Sequence, residues 1–437
     1  FSIVDDVISI NKKYIKSRNL NLKDCINRTR KTGDYVSNNL PLPINEYSRI
    51  VGVVRDSNRT KHSNKRKYFQ DLTTIQYLSR NFNIFVNNNN ILETSVYSGD
   101  WAYAKNNLVQ MSQNNKPEQF SVEDIIDGYF SRVGIDLVLP ELTSYDPTTI
   151  LNMAINPKAS SGYLTSRLIS SKRKLSTTRT KPAALYYVNE IMSRSDYTVD
   201  KSLTDIGGRE KRISTGNIEG NKNLKTRVIC APEDIPVLIG QSLVKPINES
   251  LQKLNCGFNY GGRINGNSNY KEYIKNMKCK VNEININPDF SGHDNHVKEN
   301  SVVAGMAMLR LCYPECDKLD KLFIYIISGI LYKRFVLPGS GLVYEITKGL
   351  ATGNAFTSIL TTLCSYGTLS TAMNKVMPKS VIKDSFLQIA GDDVTGKIHI
   401  KYLNSINNII KRESGYVMDD LNEFSGYFDS HNPEKRC

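Results

Sequence analysis

Three aspartates and their immediate neighbours are the residues best suited to do chemistry in this sequence. Asp289 closes a run in which apolar and polar residues nearly alternate, NEININPD, while Asp392 and Asp393 follow Gly391 between the apolar runs SFLQIA and VTGKIHI. The first pattern predicts a strand ending at Asp289, and the second a hairpin with Gly391, Asp392 and Asp393 at its tip. A Gly-Asp-Asp tip taken alone is compatible with a simple polar turn. The second Asp, however, gains no turn geometry that Asn or Gly would not supply. Two adjacent carboxylates also repel, by about 4 kcal/mol at 4 Å and an effective dielectric of 20. If the two strands are neighbours, Asp289 adds a third carboxylate at the same end of the sheet. Acids so placed raise one another's pKa values unless divalent cations neutralise them. Oxygen-only ligation suits two Mg²⁺ or Mn²⁺ ions rather than zinc. Two such ions about 3.5–4 Å apart clamp the attacking and leaving oxygens of a phosphoryl displacement.

The elements that must position these acids can be read from residue 220 onward. LKTRVICA predicts a strand and VLIGQSLVKPINESLQKL a helix. RFVLPGSGLVYEI predicts a hairpin, with Pro338, Gly339, Ser340 and Gly341 writing its turn. AFTSILTTLCSYGTLSTAMNKV predicts a helix entered through a Thr-Gly-Asn turn, and INNIIKRES a further amphipathic helix. This order of strands, hairpins and helices indicates an α+β fold, a sheet with helices on one face. The first 150 residues mix short apolar runs with polar loops and are far less legible.

Composition narrows the partners. The chain has 437 residues, 40% of them hydrophobic and 23% charged, which excludes a collagen-like, disulfide-scaffold or wholly disordered protein. Lys and Arg number 57 against 43 Asp and Glu, a net charge of +14, which favours a polyanionic partner, nucleic acid before others. Two basic clusters run from Arg55 to Lys67 and from Arg167 to Lys181. Each alone reads as solvated surface; together, on so basic a chain, they suggest a phosphate-lined channel. No membrane span is expected, because the most apolar run, Leu322 to Tyr332, has 11 residues where roughly 20 are needed. The eight cysteines are scattered, so free thiols are expected rather than zinc ligands or disulfides. The start lacks an initiator Met and a signal-peptide pattern, and a fragment or processed product is the expectation.

Taken in order, these segments resemble the RNA-dependent RNA polymerases of RNA viruses. The family's first acidic motif, Asp-x₄-Asp, is matched by Asp289-Phe-Ser-Gly-His-Asp294. Its Ser-Gly-x₃-Thr motif, followed by Asn, is matched by Thr352-Gly353-Asn-Ala-Phe-Thr357 with Thr361 in the Asn position, and its Gly-Asp-Asp by Gly391-Asp392-Asp393. Upstream, the basic strand that covers the incoming nucleotide is matched by Lys222, Lys225 and Arg227, preceded by Arg209, Lys211 and Arg212. Ser160-Ser161-Gly162-Tyr163 is similar to a Ser-x-Gly-Tyr segment that borders the template path. The resemblance covers residues 155 to 425. The run KTRVICAPEDIPVLIGQ and the compact spacing look most like polymerases of small double-stranded RNA viruses, the partitivirus and picobirnavirus type, with a reovirus-like source second.

The resemblance implies a right-hand polymerase: an N-terminal extension with part of the fingers over 1–150, fingers over 151–280, and over 281–437 a palm whose antiparallel sheet is backed by helices. The short stretch after Asp393 implies that the thumb is missing. It implies template-directed RNA synthesis from ribonucleoside triphosphates, with the template and nascent RNA as partners, possible contact with capsid protein, and a place in the virion interior and host cytoplasm. Asp289, Asp392 and Asp393 would hold the two ions. Asp294 would sense the ribose 2′ hydroxyl, unless it is only a helix N-terminal acid favoured by the dipole. Arg212, Lys222, Lys225 and Arg227 would lie over the triphosphate and base, or be exposed strand charges. Thr352 and Gly353 would flank the template base, Gly353 alternatively serving as a simple helix cap. Thr357 would face the same groove or pack. Ser160, Ser161, Gly162 and Tyr163 would border the template.

Two departures from the family stand out. Thr361 has a shorter reach than the usual Asn, which puts ribose recognition at that position in question. In GYVMDDLNEFSG there is also no Lys for the family's proton donor to pyrophosphate, which leaves Lys401 and Lys411 as candidates. His293 and His296 are expected to make structural hydrogen bonds. Two other readings stand beside the polymerase: a non-catalytic basic RNA-binding or packaging protein, and a reverse transcriptase. Asp294 at the sugar position and Gly-Asp-Asp in place of Tyr-x-Asp-Asp argue against the latter.

Overall fold

The computed structural model describes residues 42–54, 67–68, 80, 95–98, 101–113, 118–208, 211–214, 228–254, 275–338, 341–416 and 418. The chain opens with β1 (Ser48–Val53), β2 (Lys67–Tyr68), β3 (Ser95–Ser98), α1 (Trp101–Ser112) and α2 (Val122–Phe130). Then come α3 (Arg173–Ser193), β4 (Leu203–Gly208), β5 (Lys211–Ser214), β6 (Val228–Ala231) and α4 (Asp234–Leu251). The aspartate-bearing part begins with β7 (Glu283–Ile286), the single-turn α5 (His293–His296), α6 (Glu299–Arg310) and α7 (Asp317–Leu331). It continues with β8 (Lys333–Val336), β9 (Leu342–Ile346), α8 (Thr357–Val376), β10 (Phe386–Ala390), β11 (Asp393–His399) and α9 (Leu403–Glu413).

The α+β class holds, but the two hairpins do not share one sheet as the sequence order suggested. The β8–β9 hairpin lies in a five-stranded sheet of order β1-β9-β8-β4-β6, antiparallel except where β4 runs parallel to β8. The β10–β11 hairpin forms a separate three-stranded antiparallel sheet with β7, in the order β10-β11-β7. A third small sheet has the order β2-β3-β5. Burial explains the separation. Every residue of β9 (LVYEI) is buried, so this strand has to be covered on both faces. β10 (FLQIA) alternates instead, burying Leu387 and Ile389, and needs cover on one face only.

That cover is helical. Leu387 and Ile389 of β10, Val394 and Ile398 of β11, and Ile284 and Ile286 of β7 join Ile359, Leu360, Leu363 and Leu369 of α8 in one core. Each such side chain contributes about 1.5–3 kcal/mol by leaving water. A second core joins Leu108 and Met111 of α1 to Phe335, Tyr344 and Ile346 of the five-stranded sheet. α7 contains the apolar run Leu322 to Tyr332 up to its end at Leu331, and among the described residues no helix is long and apolar enough to cross a membrane. Cys230, Cys279, Cys312, Cys316 and Cys364 are free thiols.

Described residues before 150 are built into the same cores. β1 pairs with β9, from Ser48 opposite Ile346 to Val53 opposite Leu342. α2 starts with a reciprocal cap, Ser121 accepting from the Asp124 amide while Asp124 accepts from the Ser121 amide. Its buried face then meets α8 closely: a Cβ at Gly128 would lie 2.8 Å from the Thr371 nitrogen, and Tyr129 Oη donates to Leu363 O at 2.8 Å. Beyond α2, Arg132 and Asp136 form a fully buried ion pair. Asp136 also accepts from the Leu387 amide of β10 at 2.7 Å and from the Tyr366 hydroxyl of α8. Deleting one partner of such a pair leaves a buried charge and costs about 3–5 kcal/mol.

Candidate active site

Asp289 and Asp393 are paired residues. The antiparallel register that sets Gly396 opposite Ile286 and His399 opposite Glu283 continues without a shift to Asp393 opposite Asp289. β7 itself ends at Ile286, earlier than its sequence pattern suggested. The reason is Pro288, which has no N–H to give to the ladder, so pairing lapses and resumes only at Asp289. Directly opposed residues present their side chains on one face of a sheet, and like charges in that arrangement repel. Both aspartates are exposed.

Asp392 stands beside this pair in a two-residue turn, since Ala390 pairs directly with Asp393. Gly391 has φ +72° and Asp392 does not take a positive φ, the pattern of a II′ hairpin turn with Gly in first place. A Cβ at Gly391 would meet no atom of the described residues within 4 Å, so conformation rather than space calls for Gly there. Gly391 thus satisfies the turn, and neither aspartate is required by it. The donors gathered at this sheet end are carboxylate oxygens, which fit a hard divalent cation such as Mg²⁺ or Mn²⁺. Among the described residues, no three His, Cys, Asp or Glu side chains converge into a ligand set.

Asp294 lies on α5, which is entered through Gly292 in the left-handed conformation, φ 58° and ψ 40°. A helix of one turn has little dipole to offer an acid. The half-buried side chain is engaged by α8 instead: Thr361 Oγ1 lies 3.1 Å from Asp294 Oδ1. Thr361 Oγ1 lies closer still to the Thr357 carbonyl, at 2.8 Å, so its one proton is shared between that oxygen and Asp294. The Asp294 carbonyl accepts from the Leu350 amide at 2.6 Å, tying α5 to the segment that leads into the Thr352–Gly353 loop.

α8 also holds the aspartate turn, a role the sequence reading missed. Thr362 Oγ1 accepts from the Gly391 amide at 2.8 Å, and Ser365 Oγ donates to the Gly391 carbonyl at 2.8 Å. Both hydroxyls are buried. The available signal was weak: Thr361, Thr362 and Ser365 fall within little more than one turn, but the same helix also carries Thr368, Ser370 and Thr371. Ser365 Oγ lies 3.1 Å from His293 Nε2, so His293 makes the structural hydrogen bond expected of it. His293 is buried and stacks on Tyr416 at 5.1 Å, and burial pushes its pKa down to about 3. His296 is held at about 4 by burial and by the nearby Lys348 and Lys298 charges.

The Thr352–Gly353 loop is fastened to an edge strand. Thr352 Oγ1 accepts from the Cys230 amide at 3.0 Å and donates to the Val228 carbonyl at 3.1 Å, capping the open side of β6. Gly353 has φ +91°, and a Cβ there would lie 2.3 Å from the Cys230 carbonyl oxygen, so close backbone approach requires glycine. Thr357 Oγ1 donates to Ala351 O at 2.6 Å and also lines a cavity of about 10 Å³ with Lys333, Asn354 and Leu360. Room of that size holds about one water molecule. Lys333 is buried, donates to Ile330 O at 3.0 Å, and has its pKa pushed down by burial to about 7.

The residues expected to border a template are packed rather than open. Gly162 has φ +98° and sits against Glu233, where a Cβ would fall 2.6 Å from Glu233 Cα. The Glu233 carboxylate accepts from Leu164 N at 2.5 Å, Thr165 N at 3.0 Å and Thr165 Oγ1 at 2.7 Å. Ser161 Oγ donates to Ser170 O, and Ser160 Oγ accepts from Gly162 N at 3.4 Å. Tyr163 is 5% exposed with the Arg167 guanidinium 3.5 Å above its ring, which leaves no ring face for stacking on a base.

The second basic cluster divides in the same way. Arg173 is buried in an ion pair with Asp234 at 2.7 Å, and Lys181 donates to the carbonyls of Leu151 and Met153. Lys172, Lys174 and Arg179 are exposed. Arg212 pairs with Tyr97 in the β3–β5 ladder, whereas Arg209, Lys222, Lys225 and Arg227 lie outside the described residues, as do residues 55–66 of the first basic cluster. Lys401 follows the His399 end of β11, about 20 Å of strand away from Asp393, and Lys411 lies in the last turn of α9. The chain matches no family model and no curated protein.

Proposed function

We propose that this chain is an RNA-dependent RNA polymerase, one that builds RNA on an RNA template from ribonucleoside triphosphates. The observation that carries the reading is the acidic sheet end, where Asp289 and Asp393 are opposed and Asp392 occupies the adjoining turn. Exposed acids facing one another at one sheet end suit a site that takes up divalent cations. Asp289, Asp392 and Asp393 would hold Mg²⁺ or Mn²⁺, which when bound supplies charge neutralisation for in-line transfer of a nucleotidyl group. Asp294, whose carboxylate lies 3.1 Å from Thr361 Oγ1, would accept a hydrogen bond from a ribose 2′ hydroxyl. The Thr352–Gly353 loop, strapped to β6, leads into α8 and would flank the template base. The net charge of +14 supports RNA as the macromolecular partner.

The test is ribonucleotide incorporation on a single-stranded RNA template with Mg²⁺ or Mn²⁺, wild type against Asp392→Ala. Incorporation that is lost in the variant, while RNA binding survives, is the expected result. A second reading, a non-catalytic RNA-binding protein, is supported by the same net charge of +14. It predicts no incorporation by either protein and RNA binding unchanged or tightened by Asp392→Ala. On either reading, RNA affinity should fall with salt, with a log–log slope of about −0.7 per phosphate contacted.

A further inference from the structure

We infer that His293 and Ser365 form a hydrogen-bond relay that ties the one-turn helix carrying Asp294 to the turn carrying Asp392 and Asp393, so that the two move as one unit. The consequence for rate rests on the polymerase reading; the relay itself does not. Ser365 Oγ has one proton and three neighbours: Gly391 O at 2.8 Å, Thr361 O at 3.1 Å and His293 Nε2 at 3.1 Å. The shortest of these assigns the proton to Gly391 O. His293 must then carry its own proton on Nε2 and donate it to Ser365 Oγ, giving a chain from imidazole to hydroxyl to carbonyl.

The other side of the ring agrees. His293 Nδ1 is buried and has no hydrogen-bond partner among the described residues. In this tautomer it is a bare lone pair; in the other it would be a buried N–H without an acceptor, and Ser365 would have to leave Gly391 O to bond the ring. The ring itself is clamped, stacked on Tyr416 with 9° between the planes and met edge-on by Phe290 at 5.0 Å. Thr362 grips the Gly391 amide from the same helix, so both backbone polar groups of that glycine are held by α8. A displacement of α5 at Asp294 therefore carries through His293 and Ser365 to the glycine that sets the direction of the acidic turn. Ser365 and His293 are positioning residues, since neither reaches the exposed sheet end.

The relay is tested by steady-state ribonucleotide incorporation with Ser365→Ala, His293→Phe, the double variant, and His293→Gln, whose amide nitrogen can replace Nε2. Each of the first two is expected to lower kcat about tenfold with KM for nucleotide within about twofold. The double variant should do no worse than the weaker single, and His293→Gln should stay within about twofold of wild type. Wild-type kcat in Ser365→Ala, or a double-variant loss equal to the product of the single losses, would overturn the relay. Amide hydrogen exchange at Gly391 to Val394 gives a readout that needs no activity. It should quicken about tenfold in Ser365→Ala and not in His293→Gln, and unchanged exchange in Ser365→Ala overturns the relay. If wild-type protein incorporates nothing, the polymerase reading fails by itself and the exchange measurement decides the relay alone.

Discussion

Asp289 and Asp393 face each other across β7 and β11, although more than a hundred residues separate them in sequence. A fold that places two exposed carboxylates in direct opposition accepts a local repulsion of about 0.2–1 kcal/mol. Removing one charge should therefore stabilise the metal-free protein. Asp393→Asn is expected to raise Tm by about 1–2 °C at low salt without divalent ions. With Mg²⁺ or Mn²⁺ in excess the order should reverse, because only wild type gains binding energy from the ion. Thermal melts with and without chelator check this, and an unchanged order on adding metal would remove the argument for a cation at this sheet end.

The contact between Thr361 and Asp294 makes sugar selection testable with one methyl group. Thr361→Val keeps the shape and deletes the hydroxyl beside the carboxylate. On the polymerase reading, the preference for a ribonucleotide over its 2′-deoxy analogue, taken as a ratio of kcat/KM values, should fall about tenfold. Thr361→Asn should retain it. A preference unaffected by Thr361→Val would mean that Asp294 does not read the sugar.

Two glycines with similar φ make a controlled comparison. At Gly391 (φ +72°) an added Cβ meets no atom of the described residues, so Gly391→Ala should cost only the conformational penalty of about 1–2 kcal/mol. At Gly353 (φ +91°) the same Cβ would strike the Cys230 carbonyl oxygen at 2.3 Å, adding overpacking to strain, and Gly353→Ala should cost about 2–5 kcal/mol. Urea unfolding of the two variants side by side would show whether the loop and β6 approach as closely as described.

Lys333 predicts a pH dependence. Burial lowers its folded-state pKa from 10.5 to about 7, so between these values the unfolded chain holds a proton that the folded chain has released. Stability from this group is full above the unfolded value and is lost as pH falls towards 7, at about 1 kcal/mol per pH unit. Lys333→Met, which fills the site without a charge, should be more stable than wild type at pH 7, with the gap narrowing towards pH 10. Equal pH slopes for the two proteins would show that Lys333 is solvated.

Much of the element order could be read along the chain, because it depends on local periodicity and turn chemistry. The alternation in FLQIA, the Gly391 turn and the helical apolar spacing of α4, α8 and α9 each act within a few residues. The acidic residues were also legible, since no turn requires Asp392 and Asp393 together. Residues further apart were not. Whether β8–β9 and β10–β11 share a sheet depends on which strands take the hairpins' open edges: β1, from the part of the sequence that could be read least, pairs with β9, β4 pairs with β8, and β7 pairs with β11.

Tertiary packing also decided which polar residues are exposed. Arg173 and Lys181 read as surface charge until Asp234 and the carbonyls of Leu151 and Met153 were brought beside them, and Tyr163 read as open until Arg167 folded over its ring. The hydroxyls of Thr361, Thr362 and Ser365 look in sequence like weak helix formers. Each has a carbonyl one turn back in α8, but only the approach of α5 and the Gly391 turn gives them partners outside the helix, because such a bond depends on a few ångströms between groups far apart in the chain, and those distances are set by how the core packs. The sequence alone therefore determined the local elements and the chemical kind of the acidic cluster. The tertiary structure decided which aspartates face each other and which side chains hold them there.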